Sequence, residues 1–377
     1  MRCNEPNTLS REDAFMILNA LSRIGWVTMK KLLKHYNNDV VAIFAGTCED
    51  HRAIGLSETV SQNLTTWSRL FSLEKEKEKL CKLQAEFITF ENSHYPPLLK
   101  TIYDPPIGLY CYGPTRPSSN TIAIVGTRYA SLYGLQVAER LGCELAERGW
   151  CVVSGFAKGI DTAAHQGALK GKGSTVGILG CSIDRIYPPE NASLYAQLRQ
   201  QGCLMSEFRL GSRADRMSFP RRNRILSGMS QAIVVVESDT QGGSMLTASF
   251  AVEQNRQVFA IPGRIDADMS RGCHHLIRNG ATLVTCVDEI LEDLHSAPPW
   301  TLKLDLESQI QDLRSENVEH LSPEENSIYE IIKLKGPLGS SQLIEMTQLP
   351  VDTLQTVLFT LELQRIIVRR NDGLFEA

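Results

Sequence analysis

Short apolar runs alternate with helical patterns through the middle of the chain. Each run is four to six residues long, is rich in β-branched side chains and is followed by a turn. Uninterrupted apolar strands that alternate with helices are typical of a parallel β-sheet covered on both faces. The predicted strands are 121–125, 151–154, 175–179, 232–237 and 257–261, and the predicted helices are 133–148, 162–170 and 244–255.

The segment before this α/β region is helical in pattern. Residues 8–80 carry helical periodicity, and Ser10 precedes acidic residues as an N-cap does. Ile24-Gly25-Trp26 and Ile54-Gly55-Leu56 each place a glycine between helical patterns, as a helix–hairpin–helix turn that approaches a phosphate requires. A small helical bundle that only packs is the alternative.

The end of the chain has the pattern of a small winged-helix domain. Its predicted elements are the helices 323–334, 340–346 and 351–363 and the strands 366–370 and 374–376. Asn371-Asp372-Gly373 between the strands is a favourable hairpin turn. The third helix contains no Lys or Arg, so we expect weak or wing-only duplex binding, with protein contact as an equal alternative.

Together these patterns predict an α/β protein with an extended Rossmann-like fold. We place a helical domain of the helix–hairpin–helix or SAM-like type at residues 1–90 and the Rossmann-like domain, with its parallel sheet, at residues 91–295. An acidic, polar linker occupies residues 296–320, and the winged-helix domain occupies residues 321–377.

Composition narrows the functional class. The 377 residues are 42% hydrophobic and carry a formal net charge of −4, so a nucleic-acid site must be a local group of cations. No apolar run approaches the ~18–20 residues that cross a bilayer, and the N-terminus lacks the apolar stretch of a secretory signal. Ten scattered cysteines without a Cys-x-x-Cys pair predict reduced thiols in a cytoplasmic protein.

Glycine-bearing turns follow four of the predicted strands and should open at one edge of the sheet. Exposed N–H groups at helix N-termini favour anions, so this edge is a candidate phosphate site. The turns contain no G-x-G-x-x-G and no G-x-x-x-x-G-K-[ST], so we predict no cofactor. Turns that only change the chain direction are the alternative. The candidate phosphate-binding residues are Gly126, Thr127 and Gly159, and Gly243 and Ser244 belong to the fourth turn.

Positive charge is concentrated in residues 209–224, which contain six arginines and a single acid, Asp215. Guanidinium groups bind phosphates bidentately, and Phe219 within this run offers a base a stacking surface. We therefore predict exposed arginines that bind single-stranded DNA. A core Phe219 with solvated arginines is the alternative. The candidate DNA-binding residues here are Phe219, Arg221, Arg222, Asn223 and Arg224.

Titratable residues form no convincing catalytic or metal site. Asp161 is expected to cap a helix and orient His165, four residues later, rather than to perform acid–base chemistry. Cys273-His274-His275 lacks a fourth zinc ligand at a suitable spacing, and Glu237 alone specifies no reaction. We predict a protein that is not an enzyme.

In this order the motifs resemble the bacterial DNA-processing protein A family, also called DprA or Smf. The resemblance covers residues from about 95 to 285. Its motifs are Ile124-Val125-Gly126-Thr127-Arg128, Tyr133-Gly134, Ser154-Gly155-x-Ala157-x-Gly159-Ile160-Asp161, Ala164-His165, Ile186-Tyr187-Pro188, Ser206-Glu207, Phe219-Pro220-x-Arg222-Asn223-Arg224-Ile225, Gly243-Ser244-x-Leu246-Thr247-Ala248, Ala251, Pro262-Gly263 and Leu276-Ile277-x-x-Gly280-Ala281.

The resemblance implies a homodimer that binds and shields incoming single-stranded DNA and helps load the RecA recombinase during natural transformation. It implies DNA contacts for Arg128, Arg222 and Arg224, with Ser154, Gly155 and Lys158 as neighbours. Two loops depart from the family pattern, 239–242 and 272–275, which puts their contacts in doubt.

Two other functions stay open on the sequence. A nucleotide-cleaving phosphoribohydrolase shares this Rossmann variant, but its Pro-Gly-Gly-x-Gly-Thr loop is not matched at residues 241–244. A sequence-specific regulator led by the winged helix is disfavoured by the uncharged third helix.

Overall fold

The computed structural model describes residues 9–117, 120–295, 322–336, 338–347, 349, 353–354, 357–358, 360–361, 367–369 and 375–376. Residues 9–291 belong to one compact unit, and residues from 292 onwards belong to a second. The predicted linker lies almost wholly outside the described residues. No described helix combines the length and the apolar character that crossing a membrane needs.

A single large sheet organises the first unit. Among its described residues, nine strands follow the order β1-β2-β6-β5-β4-β3-β7-β8-β9. The strands from β6 to β9 in this order are parallel, while β2 is antiparallel to both of its neighbours. The bounds are β1 Glu86–Thr89, β2 Gly108–Tyr112, β3 Thr121–Val125, β4 Cys151–Ser154, β5 Thr175–Ile178, β6 Cys203–Ser206, β7 Ala232–Val235, β8 Gln257–Ala260 and β9 Thr282–Leu283.

Helices precede the sheet and connect its strands. The N-terminal helices are α1 Arg11–Ala20, α2 Trp26–His35, α3 Cys48–Ala53, α4 Glu58–Thr65, α5 Trp67–Leu70 and α6 Leu73–Leu83. The later helices are α7 Leu132–Glu147, α8 Ile160–Lys170, α9 Ala192–Gln201, α10 Ser218–Met229, α11 Gly243–Glu253, α12 Arg271–Arg278 and α13 Val287–His295. Short 3₁₀ turns lie at Ala42–Ala45, Leu98–Thr101, Pro189–Asn191 and Asp268–Ser270. The predicted N-cap is confirmed, because Ser10 and Asp13 form a capping box at α1.

The predicted parallel sheet is confirmed, and its central strands are buried throughout. Every residue of β3, β4, β5 and β7 is buried, as continuous apolar runs require. Helices α10, α11 and α12 contribute Leu226, Ala248 and Cys273 to the core on one face. The predicted helix 133–148 is present as α7, whereas the strands β1, β2, β6 and β9 and the helices α9, α10, α12 and α13 were not among the elements expected from the pattern.

The N-terminal helices share their core with the sheet. Phe15 of α1 and Leu64 of α4 belong to the same buried cluster as Phe87 of β1 and Tyr110 of β2. Residue 90, the predicted domain boundary, follows a strand of the sheet, so that boundary does not separate two cores.

Helices α7 and α8 approach each other unusually closely. A Cβ at Gly167 of α8 would lie 1.9 Å from the carbonyl oxygen of Glu139 in α7. A Cβ at Gly142 of α7 would lie 2.4 Å from the carbonyl oxygen of Ala164 in α8. Since backbone meets backbone at both points, neither position has room for a methyl group. This contact holds α8 where its first turn faces the end of β3.

The second unit contains two helices and a two-stranded ladder among its described residues. Helices α14 Pro323–Lys335 and α15 Ser340–Thr347 agree with the prediction, as does the antiparallel pair β10 Val368–Arg369 and β11 Phe375–Glu376. Buried apolar side chains join them, including Ile328, Leu343 and Phe375. Much of the predicted third helix and the Asn371-Asp372-Gly373 turn lie outside the described residues, so the winged helix stays a prediction.

Replacing Gly167 by Ala should destabilise the first unit. The added methyl forces α7 and α8 apart, and we expect a loss of about 3 kcal/mol in the free energy of unfolding. Urea unfolding followed by circular dichroism measures it. Gly243→Ala is the matched control, because a Cβ there meets nothing within 4 Å, and its stability should change by less than about 1 kcal/mol. Equal stability of Gly167→Ala and the unchanged protein would contradict the close approach.

Candidate nucleic-acid interface

The site lies between β3 and β7, where the order in which the chain adds strands to the sheet reverses its direction. From β3 the chain proceeds outward through β4, β5 and β6, and it then returns to place β7 on the other side of β3. The loops that leave β3 and β7 therefore diverge, and a crevice opens between them. We call this crevice, of about 460 Å³, the switch-point cleft. It is lined by Val125, Gly126, Thr127, Arg128, Tyr129, Ala157, Asp161, Phe219, Arg222, Asn223, Leu226, Asp239, Gly242, Gly243, Ser244, Thr247 and Met269.

One helix N-terminus opens into the switch-point cleft. Helix α11 starts at Gly243 without a side-chain cap and without an acidic residue in its first turn. Among the described residues, no hydrogen-bond partner is found for the N–H groups of Gly243 and Ser244. The Ser244 hydroxyl lies 2.7 Å from that of Ser238, and Asn223 Nδ2 donates to the Gly243 carbonyl at 3.3 Å, so the turn is held in place. This N-terminus can bind an anion.

The N-termini of two other helices at this edge, α7 and α8, form hydrogen bonds within the fold. The Ser131 N–H and hydroxyl at the start of α7 donate to Glu237, which explains that buried carboxylate. At α8, the Ile160 N–H donates to the Thr127 carbonyl at 3.3 Å, and the Thr127 N–H donates to the Glu237 carbonyl at 2.7 Å. The Thr127 N–H, predicted to bind phosphate, therefore bonds within the fold, whereas the phosphate contacts of Gly126 and Gly159 stay a prediction.

An exposed cation and several aromatic rings stand at the mouth of the cleft. The Arg128 guanidinium lies 5.2 Å from the centre of the Phe219 ring, and Tyr187 packs against the same ring at 5.7 Å. Arg128 has no acidic partner within ion-pair distance among the described residues. Tyr129 is 88% exposed, and our sequence analysis missed it although it directly follows Gly-Thr-Arg. The group offers one phosphate ligand and stacking surfaces.

Arg222 forms part of the cleft floor and is buried, not exposed as predicted. Its Nη1 donates to the Ile178 carbonyl at 2.8 Å, and its Nε has no partner among the described residues. Gly155 makes room for the guanidinium, since a Cβ there would lie 2.0 Å from Arg222 Nη1. Burial lowers the pKa of Arg222 and raises the pKa of the nearby Asp161, although each charge opposes the shift of the other.

Arg224 lies on the side of α10 opposite to Arg222, and its burial contradicts the exposure that the sequence predicted. Its Nη2 donates to Glu207 Oε2 at 2.5 Å, its Nη1 donates to the Asp104 carbonyl at 2.5 Å, and its Nε lies 3.5 Å from the Asp104 carboxylate. The Arg224 side chain is only 12% exposed. Arg221 is exposed on this side too, at 3.5 Å from Glu207. Neither arginine lines the switch-point cleft, because α10 turns them away from it.

Two other candidates are held by the chain itself. The Ser154 hydroxyl is fully buried and donates to the Ile124 carbonyl at 2.7 Å. Lys158 pairs with Glu190 on the surface, and it lines a small pocket beside the cleft together with Gly155 and Phe219. The order of motifs in the sequence therefore identified the region of the site. The fold shows which of its residues line the cleft and which support it from within the protein.

The titratable groups considered earlier serve structural roles. His165 Nδ1 lies 2.7 Å from Thr175 Oγ1, so the prediction that Asp161 orients it is wrong. Asp161 instead accepts from the Ala157 N–H at 3.2 Å. The Cys273 thiol contacts the carbonyls of Val235 and Val236, and no metal-binding group of three or more ligands occurs in the part of the chain that the structure describes.

The first predicted helix–hairpin–helix turn is occupied as well. Gly25 caps α2, and the Trp26 N–H donates to Asp104 Oδ1 at 3.3 Å. A carboxylate of the same chain thus stands where a phosphate was expected. Gly55 does lie between α3 and α4 with a φ of 80°.

Comparison with known proteins decides the family. A model of the DNA recombination-mediator protein A family matches residues 86–295, which is more than half of the chain. The chain belongs to this family. Protein Smf from Escherichia coli is 38% identical over 285 residues, covering 73% of this chain and 76% of that protein. Protein Smf from Synechocystis is 38% identical over 231 residues, and the match spans only 57% of that relative.

Solved structures of the recombination-mediator family share the fold. The structure of DNA processing protein A from Streptococcus pneumoniae has a TM-score of 0.66 and 32% identity, covering 75% of this chain and 98% of that one. A structure concerning the single-stranded DNA binding mode of DNA processing protein A from Helicobacter pylori has a TM-score of 0.51 and 31% identity, and the match covers 55% of this chain and 95% of that one.

Arg224→Ala should unfold the protein more easily, whereas Arg128→Ala should not. Without Arg224, the buried Glu207 loses its closest cation, and we expect the free energy of unfolding to fall by about 3 kcal/mol. Exposed Arg128 makes no ion pair, so its removal should change stability by less than about 0.5 kcal/mol. Urea unfolding of the two variants side by side measures both. Equal stability of the two would show that the Arg224 network contributes nothing.

His165 should make the fold sensitive to mild acid. Burial, with a smaller contribution from Arg222, lowers the pKa of His165 from 6.5 to about 3. The unfolded chain therefore takes up a proton near pH 6.5 that the folded chain refuses, so stability is lost as the pH falls from 6.5 towards 3. Between pH 6.5 and pH 5 we expect this protein to lose about 1.5 kcal/mol more than His165→Gln. Urea midpoints at the two pH values test this, and parallel pH profiles would contradict it.

Proposed function

We propose that the chain binds single-stranded DNA in the switch-point cleft and acts as a recombination mediator, not as an enzyme. The observation that carries the proposal is the convergence of the uncapped α11 N-terminus, the unpaired Arg128 and exposed aromatic rings on one open cleft. Helix N-termini and guanidinium groups bind phosphates, and aromatic faces stack bases without regard to sequence. The Helicobacter pylori relative, described as binding single-stranded DNA, supports the same ligand here.

Arg222 supports an anionic ligand from the floor of the cleft. No carboxylate lies within ion-pair distance of its buried guanidinium among the described residues, and its Nε lacks a partner. The nearby Asp161 carboxylate opposes the pKa shift of Arg222 but forms no ion pair with it among the described residues, and a bound phosphate would supply a closer counter-charge. Arg128 and Arg222 thus keep their proposed DNA role, with Phe219, Asn223, Gly243 and Ser244 around them. Arg224 is better explained as support for α10.

A polymer fits this site better than a mononucleotide. The cleft is open, and its exposed cation and rings, Arg128, Tyr129 and Tyr187, lie at the mouth, where a strand passes across. No dinucleotide or ATP loop is present in the sequence. The Pro-Gly-Gly-x-Gly-Thr loop of a phosphoribohydrolase is not matched in the sequence, and Glu237 is bonded to Ser131 and does not line the cleft.

Membership in the family supports a biological setting for this binding. We propose that the protein shields incoming DNA during natural transformation, helps load RecA recombinase and works as a cytoplasmic homodimer. The exposed edge strand β9, where Leu283 is 47% exposed, leaves room for a second copy of the chain.

Arg128→Ala should weaken binding of an unstructured single strand about tenfold and reduce the slope of log affinity against log salt by about 0.7, the value for one lost phosphate contact. Mobility shifts at two salt concentrations measure both. Arg69→Ala, which removes an exposed cation from α5, is the matched control and should bind as the unchanged protein does.

Duplex and mononucleotide competitors sharpen the same experiment. Excess mononucleotide should fail to displace the strand, and duplex should compete weakly. Unchanged affinity of Arg128→Ala for the single strand would reject this site. Release of free base from a nucleoside monophosphate would instead support the phosphoribohydrolase function.

A further inference from the structure

A second cleft lies on the far side of α10. It has a volume of about 550 Å³ and separates the α1–α2 connection from the loop that follows β6. We call it the lateral cleft. The residues that matter here are Arg23, Asp104, Glu207, Phe208, Arg209 and Arg221, all of which line it.

The rim of the lateral cleft is positively charged. Arg23 and Arg209 are exposed and have no ion-pair partner among the described residues. Arg221 is exposed too, and its guanidinium lies 5.2 Å from the centre of the Phe208 ring. The two carboxylates of the cleft, Asp104 and Glu207, contact Arg224, and Glu207 also lies 3.5 Å from Arg221.

The charge continues beyond the cleft in both directions. Arg209 and Ser212 also line an adjoining cleft of about 340 Å³ that contains Lys75 and Lys79 of α6. Towards the switch-point cleft, Arg213 and Arg216 are exposed and unpaired among the described residues. Further exposed cations therefore lie near the lateral cleft, in the adjoining cleft or in the segment that leads to α10.

Arg23 holds its position at a conformational cost. Its φ is 63°, in the left-handed region that glycine adopts freely and that a long side chain disfavours. Nothing in the fold uses its guanidinium, because it makes no ion pair within the described residues. An arginine at such a position points to a ligand outside the chain.

The two clefts are neighbours across one helix. Arg222 and Asn223 of α10 face the switch-point cleft, while Arg221 faces the lateral cleft. A helix with its side chains is ~10 Å across, so a strand that leaves one cleft needs only a few nucleotides to reach the other. Met217, 72% exposed near the start of α10, gives an apolar surface to bases on the way.

We propose that the lateral cleft binds the continuation of the single strand held in the switch-point cleft, with phosphates at Arg23, Arg209 and Arg221. This inference rests on the proposed function. Half-buried Phe208 beside Arg221 and the continuity across α10 favour a nucleic acid over an acidic protein segment. Longer strands therefore bind more tightly because they reach both clefts.

Oligothymidylates of about 3 and about 20 nucleotides separate the clefts, since the shorter one is taken up by a single cleft and only the longer one has further nucleotides that cross α10. Fluorescence anisotropy with the full chain compares Arg23→Gly, Arg209→Ala, Arg128→Ala and the control Lys82→Ala, an exposed cation of α6 that lines neither cleft. Glycine suits the backbone at residue 23, so Arg23→Gly should fold at least as stably as the unchanged chain, which thermal unfolding checks.

Arg23→Gly and Arg209→Ala should each weaken binding of the long oligonucleotide about fivefold, lower its salt slope by about 0.7 and leave the short one within about twofold. Lys82→Ala should change neither. Unchanged affinity of both variants for the long strand, or equal losses on both lengths, overturns the lateral cleft. An oligoglutamate peptide that binds only when Arg23 and Arg209 are present, with DNA binding unaffected, also overturns it.

The variant Arg128→Ala distinguishes the proposed switch-point site from the proposed lateral cleft. Loss of the short oligonucleotide in Arg128→Ala supports the switch-point cleft whatever the lateral variants do. Full affinity of Arg128→Ala for the short strand, with losses on the long strand in Arg209→Ala, rejects the switch-point site and leaves the lateral cleft standing.

Discussion

Strands β3 and β7 are parallel neighbours in the sheet, although β4, β5 and β6 come between them in the sequence. Every other feature of the site depends on this pairing. It separates the loop after β3 from the loop after β7, so that Arg128 and the start of α11 face each other across an open crevice. The close contact of α7 with α8 fixes one side of that crevice, and α10 fixes the other.

Helix α10 divides the arginines by their position around its axis. Neighbouring residues of a helix lie about 100° apart, so Arg221 and Arg222 face different clefts although they are adjacent in sequence. Arg224 turns towards Glu207 and Asp104 and binds the helix to the sheet and to the segment before β2. One basic run therefore performs three tasks: it lines the floor of one cleft, lines the rim of another and supports the fold between them.

The parallel sheet, three of its covering helices (α7, α8 and α11) and the edge that carries the site were predictable, because continuous apolar strands followed by glycine turns leave few arrangements. Residues on strand ends, such as Arg128 and Gly243, were placed well for the same reason. Burial was not predictable: Ser154, Arg222 and Arg224 are polar in sequence, yet the fold surrounds them. Strands β1 and β2 were missed because their flanks lack the alternation with helices, and β2 also pairs with the distant strand β6.

By itself the sequence determined the class of fold, the family and the edge of the sheet where a phosphate-bearing ligand is expected, because these depend on local periodicity and on motif order. Only the tertiary structure decided which helix N-terminus stays open. Those of α7 and α8 bond to Glu237 and Thr127, and α2 bonds to Asp104, whereas α11 has no such partner among the described residues. Hydrogen-bond partners so distant in sequence are chosen by packing, which no local pattern records.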